Sequence, residues 1–455
     1  MRKDKPITEK RKFYGWTLLA IMWLIVAANS FPMAGASVIN AFMATNMHLS
    51  RSTMGLIFGV FSWMTGMLGP VVALCVNKRG VRFTLAMGSL MVVAGAALMG
   101  TVVGNTWQAI AVFGVLIGLA YTASGALAAQ AGIVRWFTKS KARVLSLLMT
   151  GTSVGAMIAP VALAHIIGGN PARWRRGWWL VCACSACAAL LTLLGVKERP
   201  SDLGQVPESE GTPERAAAQV QAPSSVYRTT EDWSYREVLR SATFWLTCVP
   251  GVGFSMLLPL INAHGLRHLQ DLGHTAAQAA LSFSILASAM LAGMLCVAAF
   301  GSRIDSRKLW SAGMLVLGLG VVWAFHAAGP VIHIGIEGLN QRMLWAWTGD
   351  LGLYGYAVVV GFGFGSATPA AMTTMSNYFG DKPFADIMGF LAVLSTTIGA
   401  LAAYLAGLAF DRLGSYRIAF YGVALVCFAG CVILAFLKPP VRKVARQLAT
   451  AGVER

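Results

Sequence analysis

Charge is scarce in this sequence. Asp, Glu, Lys and Arg together make up 12% of its 455 residues, and 56% are hydrophobic. A soluble domain carries roughly 25% charged residues, so an ordinary water-soluble globular fold is excluded. Acidic residues are the scarcer sign, 18 against 36 Lys and Arg, which leaves a formal net charge of +18. Such an excess raises nucleic acid as a partner, but the basic residues form short clusters beside apolar runs. No separate basic domain exists, and nucleic-acid binding is set aside.

Groupings that carry enzyme chemistry are also missing. No nucleophile stands near a base, and no metal-ligand spacing occurs, so the sequence points to a protein that is not an enzyme and needs no metal or cofactor. Eight cysteines are present; Cys182, Cys184 and Cys187 share one apolar segment, and Cys427 and Cys431 another. No His or carboxylate joins them, which favours small apolar packing over metal binding, and no disulfide framework is implied. The first apolar stretch is too long for the core of a signal peptide and is read as a spanning helix.

What the chain does have is twelve long apolar segments, at 13–40, 52–76, 81–103, 107–134, 144–168, 175–196, 241–264, 275–300, 309–329, 352–376, 386–410 and 416–437. Each is about long enough to cross a bilayer, which takes roughly 20 helical residues. The expectation is an all-α, multi-pass membrane protein. A polar connector rich in Pro, Glu, Ser and Arg, 197–240, separates a first six-helix bundle, 1–196, from a second, 241–440, followed by a tail, 441–455. An interfacial helix is expected near Trp233–Leu239. Most Lys and Arg fall in connectors on the side of the two termini, which predicts cytoplasmic termini, in a bacterial inner membrane. Arg173, Arg175 and Arg176 run against that rule, in a loop ending at Trp178 and Trp179, where aromatic anchoring at the interface is expected.

The two halves repeat each other. After the second segment come Ala73, Asn77, Lys78, Arg79, Gly80 and Arg82; after the eighth come Gly301, Asp305, Arg307 and Lys308. Trp136 and Phe137 follow the fourth segment, and Tyr378, Phe379 and Gly380 follow the tenth. A repeat of six-helix halves is how many alternating-access carriers are built. These loops resemble those of the major facilitator superfamily, over nearly the whole chain. The second-half loop keeps most of that family's Gly-x-x-x-Asp motif, whereas Ala73 and Asn77 replace its glycine and aspartate in the first half. A weaker latch in the first half is the expectation. Phe13 to Trp16, Ser50-Arg51, Trp136-Phe137 with Lys139, Lys141 and Arg143, and Ala406 to Tyr416 around Asp411 resemble the monocarboxylate and oxalate/formate carriers of that superfamily. A further stretch, Gly151 to Pro160, partly resembles an antiporter motif.

The resemblance implies two pseudo-symmetric six-helix bundles and secondary transport of a small organic anion, a monocarboxylate, by a monomer in the lipid bilayer, with protons or a counter-anion as partner. Export of a drug, siderophore or other less polar metabolite is the alternative. Carriers of the subgroup hold an arginine in the eighth helix, yet Leu281 to Phe300 contains no Asp, Glu, Lys, Arg or His, nor does Ile387 to Phe410. An anion then needs helix N-termini or several neutral donors. The candidates are Asn29, Tyr121, Gln130, Asn262, Ser288, Tyr356 and Thr396, each with a structural alternative, namely a bond to backbone or a neighbouring helix. Glycines beside Tyr121 and Tyr356 leave room for a ligand or, equally, allow tight packing. His264 is the candidate for proton coupling because imidazole titrates near neutrality; a hydrogen-bonded interfacial histidine is the alternative. Arg135 is either an inner-gate cation or a positive anchor.

Overall fold

The computed structural model describes residues 13–137, 141–208, 227, 229, 233–300, 304–326, 341–380 and 383–440. Among them, regular structure is helical apart from one isolated bridge between Phe137 and Glu208. Eleven helices among the described residues are long and apolar enough to cross a membrane, and a bent pair, taken as one span, makes a twelfth. In chain order the passes are Gly15–Asn46, the pair Arg51–Met67 and Gly69–Arg79, Val81–Thr101, Thr106–Ile133, Val144–Ile167, Pro171–Gly195, Ala242–Asp271, Ala276–Phe300, Ser306–Phe325, Leu351–Phe379, Asp386–Leu413 and Arg417–Phe436. An even number of passes brings both ends of the described chain to one face, the terminal face; the other is the distal face.

Two passes run further than their hydropathy suggests. The first continues to Asn46 because Ile39, Phe42 and Met43 are buried core rather than loop. The seventh continues through a π-helical turn, Ile261–Gly265, to Asp271. Arg175, whose position opposes the charge rule, donates to the carbonyls of Thr101 and Val103, both at 2.8 Å. It therefore caps the C-terminus of the third pass, where a cation meets the negative end of the helix. Trp178 is not an interfacial anchor. It is fully buried against Phe113, with ring centroids 5.7 Å apart, while Trp179 is half-exposed.

Three passes of the first half are interrupted at mid-depth. The first breaks at Asn29 and Ser30, just before Pro32, which cannot donate into the helix ladder. The second bends by 45° at Leu68, ahead of Pro70. The fourth breaks at Gly125, whose backbone is extended at φ −92°, ψ −159°. Such breaks expose backbone polar groups, which membrane proteins tolerate beside a cavity or another protein surface.

In the connector, Ser234 and Glu237 form a reciprocal capping box at the start of the helix Tyr235–Leu239. Trp233 is buried edge-on against Phe379 at 5.6 Å, so this helix docks on the tenth pass rather than lying in the lipid interface.

Candidate functional site

The breaks of the first and fourth passes line one cavity of about 210 Å³ in the first half, to which the bent second pass contributes Thr65. Its walls come from the first, second, fourth and fifth passes and include Asn29, Ser30, Thr65, Tyr121, Thr122, Gly125, Leu127 and Thr152. Among the described residues, no Asp, Glu, Lys, Arg or His lines it. Most polar atoms there are already committed. Asn29 Nδ2 donates to Ser89 Oγ at 2.9 Å and to the Ser124 carbonyl at 3.1 Å. Thr65, Thr122 and Ser30 hydroxyls donate to backbone carbonyls. Of the cavity's lining atoms, Asn29 Oδ1 and Thr152 Oγ1 are buried without a partner among the described residues, a condition that costs about 1–3 kcal/mol for each such group.

On the distal face the halves are fastened together. Asp411, ending the eleventh pass, accepts from the backbone N–H groups of Arg51 at 3.0 Å and Ser52 at 2.9 Å. A carboxylate of one half thus caps a helix of the other. The Arg51 guanidinium makes a forked contact with Asp271, at 2.8 and 2.7 Å, and lies 4.7 Å from the Phe410 ring centroid. Beneath this layer the second and eleventh passes touch backbone to backbone: a Cβ on Gly55 would collide with the Ala403 carbonyl oxygen. The terminal-side parts of the first, second and fourth passes make their main contacts within their own half. The cavity is therefore shut off from the distal face.

The terminal face carries a second charged cluster, inside the first half. Glu198 accepts from Val81 N at 3.1 Å and Arg82 N at 2.7 Å, and pairs with Arg135 at 3.0 Å. It caps the third pass as Asp411 caps the second.

The family model described as Major Facilitator Superfamily matches residues 22–339 and 270–453. The chain belongs to the Major Facilitator Superfamily. Similar members include the uncharacterized MFS-type transporter YcxA of Bacillus subtilis (strain 168), 22% identical over 404 residues, 87% of this chain and 86% of that one. Monocarboxylate transporter 14 of Homo sapiens is 25% identical over 228 residues, 48% of this chain and 43% of its own. The fujikurins efflux protein of Gibberella fujikuroi is 29% identical over 140 residues, 30% of this chain and 29% of its own. Two solved structures share the fold. One is a mutant of the nucleoside transporter NupG, at TM-score 0.65 and 13% identity, covering 92% of this chain and 98% of that one. The other is a POT family transporter in complex with 5-aminolevulinic acid, at TM-score 0.67 and 14% identity, covering 92% and 96%. Membership makes this chain a membrane transporter with a small-molecule substrate, not an enzyme.

Within this superfamily member the expected site residues separate. Asn29 and Tyr121 meet at the cavity. Gln130 lies away from it and donates to Met149 Sδ at 2.8 Å. Tyr356 is buried in the second half, 3.1 Å from Ser282 Oγ. Ser288 and Thr396 bond carbonyls of their own helices, the structural alternative in each case. Asn262 sits in the π-helical turn, outside the cavity. The glycines beside the tyrosines are used for packing. Cβ atoms on Gly361 and Gly365 would collide with carbonyls of the eighth pass, and on Gly114 and Gly118 they would stand 2.9 and 3.0 Å from side chains of the second. Helix contact, not ligand room, is their use.

His264 is hydrogen-bonded near the distal end of the seventh pass. It is buried, with Nε2 2.8 Å from the Ala403 carbonyl and Nδ1 3.2 Å from the Tyr416 hydroxyl, in the layer under the distal clasp. Asn77 is exposed, and Arg79 lies over Phe83 at 5.8 Å. Gly80 holds a φ of +94° at the start of the third pass. Arg82 donates to the Leu193 carbonyl; in the second half Arg307 donates to the Leu437 carbonyl, and Asp305 accepts from Arg307 N at 3.0 Å. Gly301, the tail 441–455 and residues 209–226 of the connector lie outside the described residues.

Sequence reasoning missed Glu198, Asp271 and Thr152. The first two had a usable signal, since a lone acid at the end of an apolar helix in so acid-poor a chain is conspicuous. Thr152 had none, because a membrane threonine most often bonds its own helix.

Proposed function

We propose that this transporter carries a small organic anion, in the first place a monocarboxylate, by alternating access. The observation that carries the reading is the cavity at the three broken helices, shut on the distal side by a clasp between the two halves. A ligand bound there meets polar atoms at mid-depth, and opening the clasp exposes it to the other face. The likeness to monocarboxylate transporter 14, partial as it is, supports the same class, as do the loop sequences around Asp411 and Trp136. The distribution of Lys and Arg supports cytoplasmic termini.

A second reading, export of a less polar compound, is favoured by one observation: apart from the few free polar atoms, the cavity wall is apolar and uncharged. Thermal shift of the purified protein separates the two. Stabilisation by mono- and hydroxycarboxylates supports anion transport, and stabilisation by neutral lipophilic compounds alone removes it. Uptake into proteoliposomes then tests the cavity directly. Asn29→Ala and Tyr121→Phe are expected to lower initial rates at unchanged reconstitution; full rates in both would place the substrate elsewhere.

A further inference from the structure

The superfamily subgroup's missing cation leaves an anion without an obvious partner, and the broken fourth pass offers one. Gly125 is extended, so a new helix starts at Ala126 and runs to Ile133. The first N–H groups of a helix have no carbonyl one turn behind them, and together they present roughly half a positive charge. No side chain caps this start, and Gly125, Ala126 and Leu127 all line the cavity.

Asn29 supplies an independent observation. It is 1% exposed and lines the same cavity. Its Nδ2 is held by Ser89 and by the Ser124 carbonyl at the break itself, which fixes the orientation of the amide. Oδ1 is thereby left as a buried acceptor with no partner. The site therefore offers donors from the helix start and an acceptor from Asn29.

We propose that a carboxyl group docks at this break, its oxygens accepting from the N–H groups of Ala126 and Leu127, with a donor on or beside it reaching Asn29 Oδ1. That donor is the acid proton or a 2-hydroxyl. A plain carboxylate fills the helix start but leaves Asn29 Oδ1 facing an anion, so the site selects acids that carry a donor. This inference rests on the organic-anion reading of the cavity.

The test is titration calorimetry on the full chain in detergent with 2-hydroxypropanoate, propanoate and 2-hydroxypropanamide at neutral pH. Ala126→Pro removes one N–H at a position where proline suits a helix, after a residue already extended. Leu127→Asp sets a carboxylate on the same N–H groups as an internal competitor, in a first turn where an acid favours the helix. The unaltered chain is expected to bind 2-hydroxypropanoate about tenfold more tightly than propanoate, and the amide more weakly still. Ala126→Pro should weaken both acids about tenfold, and Leu127→Asp should abolish their binding. Acids bound normally by both variants overturn the helix-start site while leaving anion transport intact. Equal affinity for the two acids overturns the part given to Asn29. Failure of the unaltered chain to bind either acid overturns the anion reading and this inference with it. Should Ala126→Pro lose its cooperative melt, Leu127→Asp alone decides.

Discussion

Removing the Asp411 carboxylate should open the distal face. In the closed arrangement it accepts two backbone N–H groups at the start of the second pass, at 3.0 and 2.9 Å. A carboxylate cap on a helix N-terminus contributes about 1–2 kcal/mol. The neighbouring Arg51–Asp271 pair adds less than its 2.7 Å distance suggests, because the Asp271 side chain is 39% exposed and solvent screens it; about 1 kcal/mol or below is the reasonable figure. The clasp as a whole is thus worth about 1–3 kcal/mol, or a factor of about 5–150 in the ratio of closed to open states. Asp411→Ala should forfeit most of this, and Asp411→Asn, which keeps one acceptor oxygen, less. Spin labels on Thr45 and Leu413, in a background without the eight native cysteines, report the separation of the halves at the distal face. The expected result is a second, longer distance in Asp411→Ala, weaker in Asp411→Asn, with Asp271→Ala in between. An unchanged distance distribution in all three variants would refute the idea that these contacts hold the face shut.

Gly55→Val should do the same by sterics, since even a Cβ would collide with the Ala403 carbonyl oxygen; the same label pair should show only the longer distance, and retention of the short one means the passes slide apart without opening. Glu198→Gln keeps the shape of the cap on the third pass but removes its charge and the pairing with Arg135, so the purified protein should lose about 1–2 kcal/mol and melt a few degrees lower; an unchanged melt would show that the cluster is spectator charge. His264→Gln should leave the pH profile of uptake unshifted while lowering thermal stability, because the imidazole is held by Ala403 and Tyr416 outside the cavity; a shifted profile would restore it as a coupling group.

The passes were legible because lipid imposes a simple rule, about 20 apolar residues per crossing, and the chain obeys it without interior charge. The fold followed from the same pattern and from the repeated loops. What lies within each helix was less legible. Asn29 stood out because an amide is costly at membrane depth, whereas Gln130 carried the same signal and turned out to bond Met149. Hydropathy has no term for which face of a helix meets a cavity. The breaks were half visible: Pro32 and Pro70 announce two of them, but Gly125 is one glycine among 49, and its extended backbone has no sequence signature. For His264 the hydrogen-bonded alternative was legible, but its burial was not, because the seventh pass runs on to Asp271 and covers it.

The degenerate loop of the first half shows how the same structural demand is met by different residues. In the second half Asp305 caps the ninth pass and Arg307 ties it to the carbonyl of Leu437, at the end of the twelfth. In the first half Arg82 makes a similar tie, from the third pass to the carbonyl of Leu193 near the end of the sixth, although the loop repeat that matches Asn77 to Asp305 pairs Arg307 with Arg79. The residue matching Asp305 is Asn77, which is exposed and caps nothing. Its task falls to Glu198, which arrives from beyond the sixth pass, caps the third, and draws in Arg135 from the fourth. A helix N-terminus at the membrane surface favours a nearby carboxylate whichever segment delivers it. The cap binds the third and fourth passes to the chain just beyond the sixth, and the second half joins the matching three passes by other groups: Thr374 and Asn377 of the tenth donate to Ser306 Oγ at the start of the ninth, which Arg307 ties to the twelfth. Both halves therefore join the same three passes at the terminal face, the first through a carboxylate and the second through hydroxyls, an amide and a guanidinium.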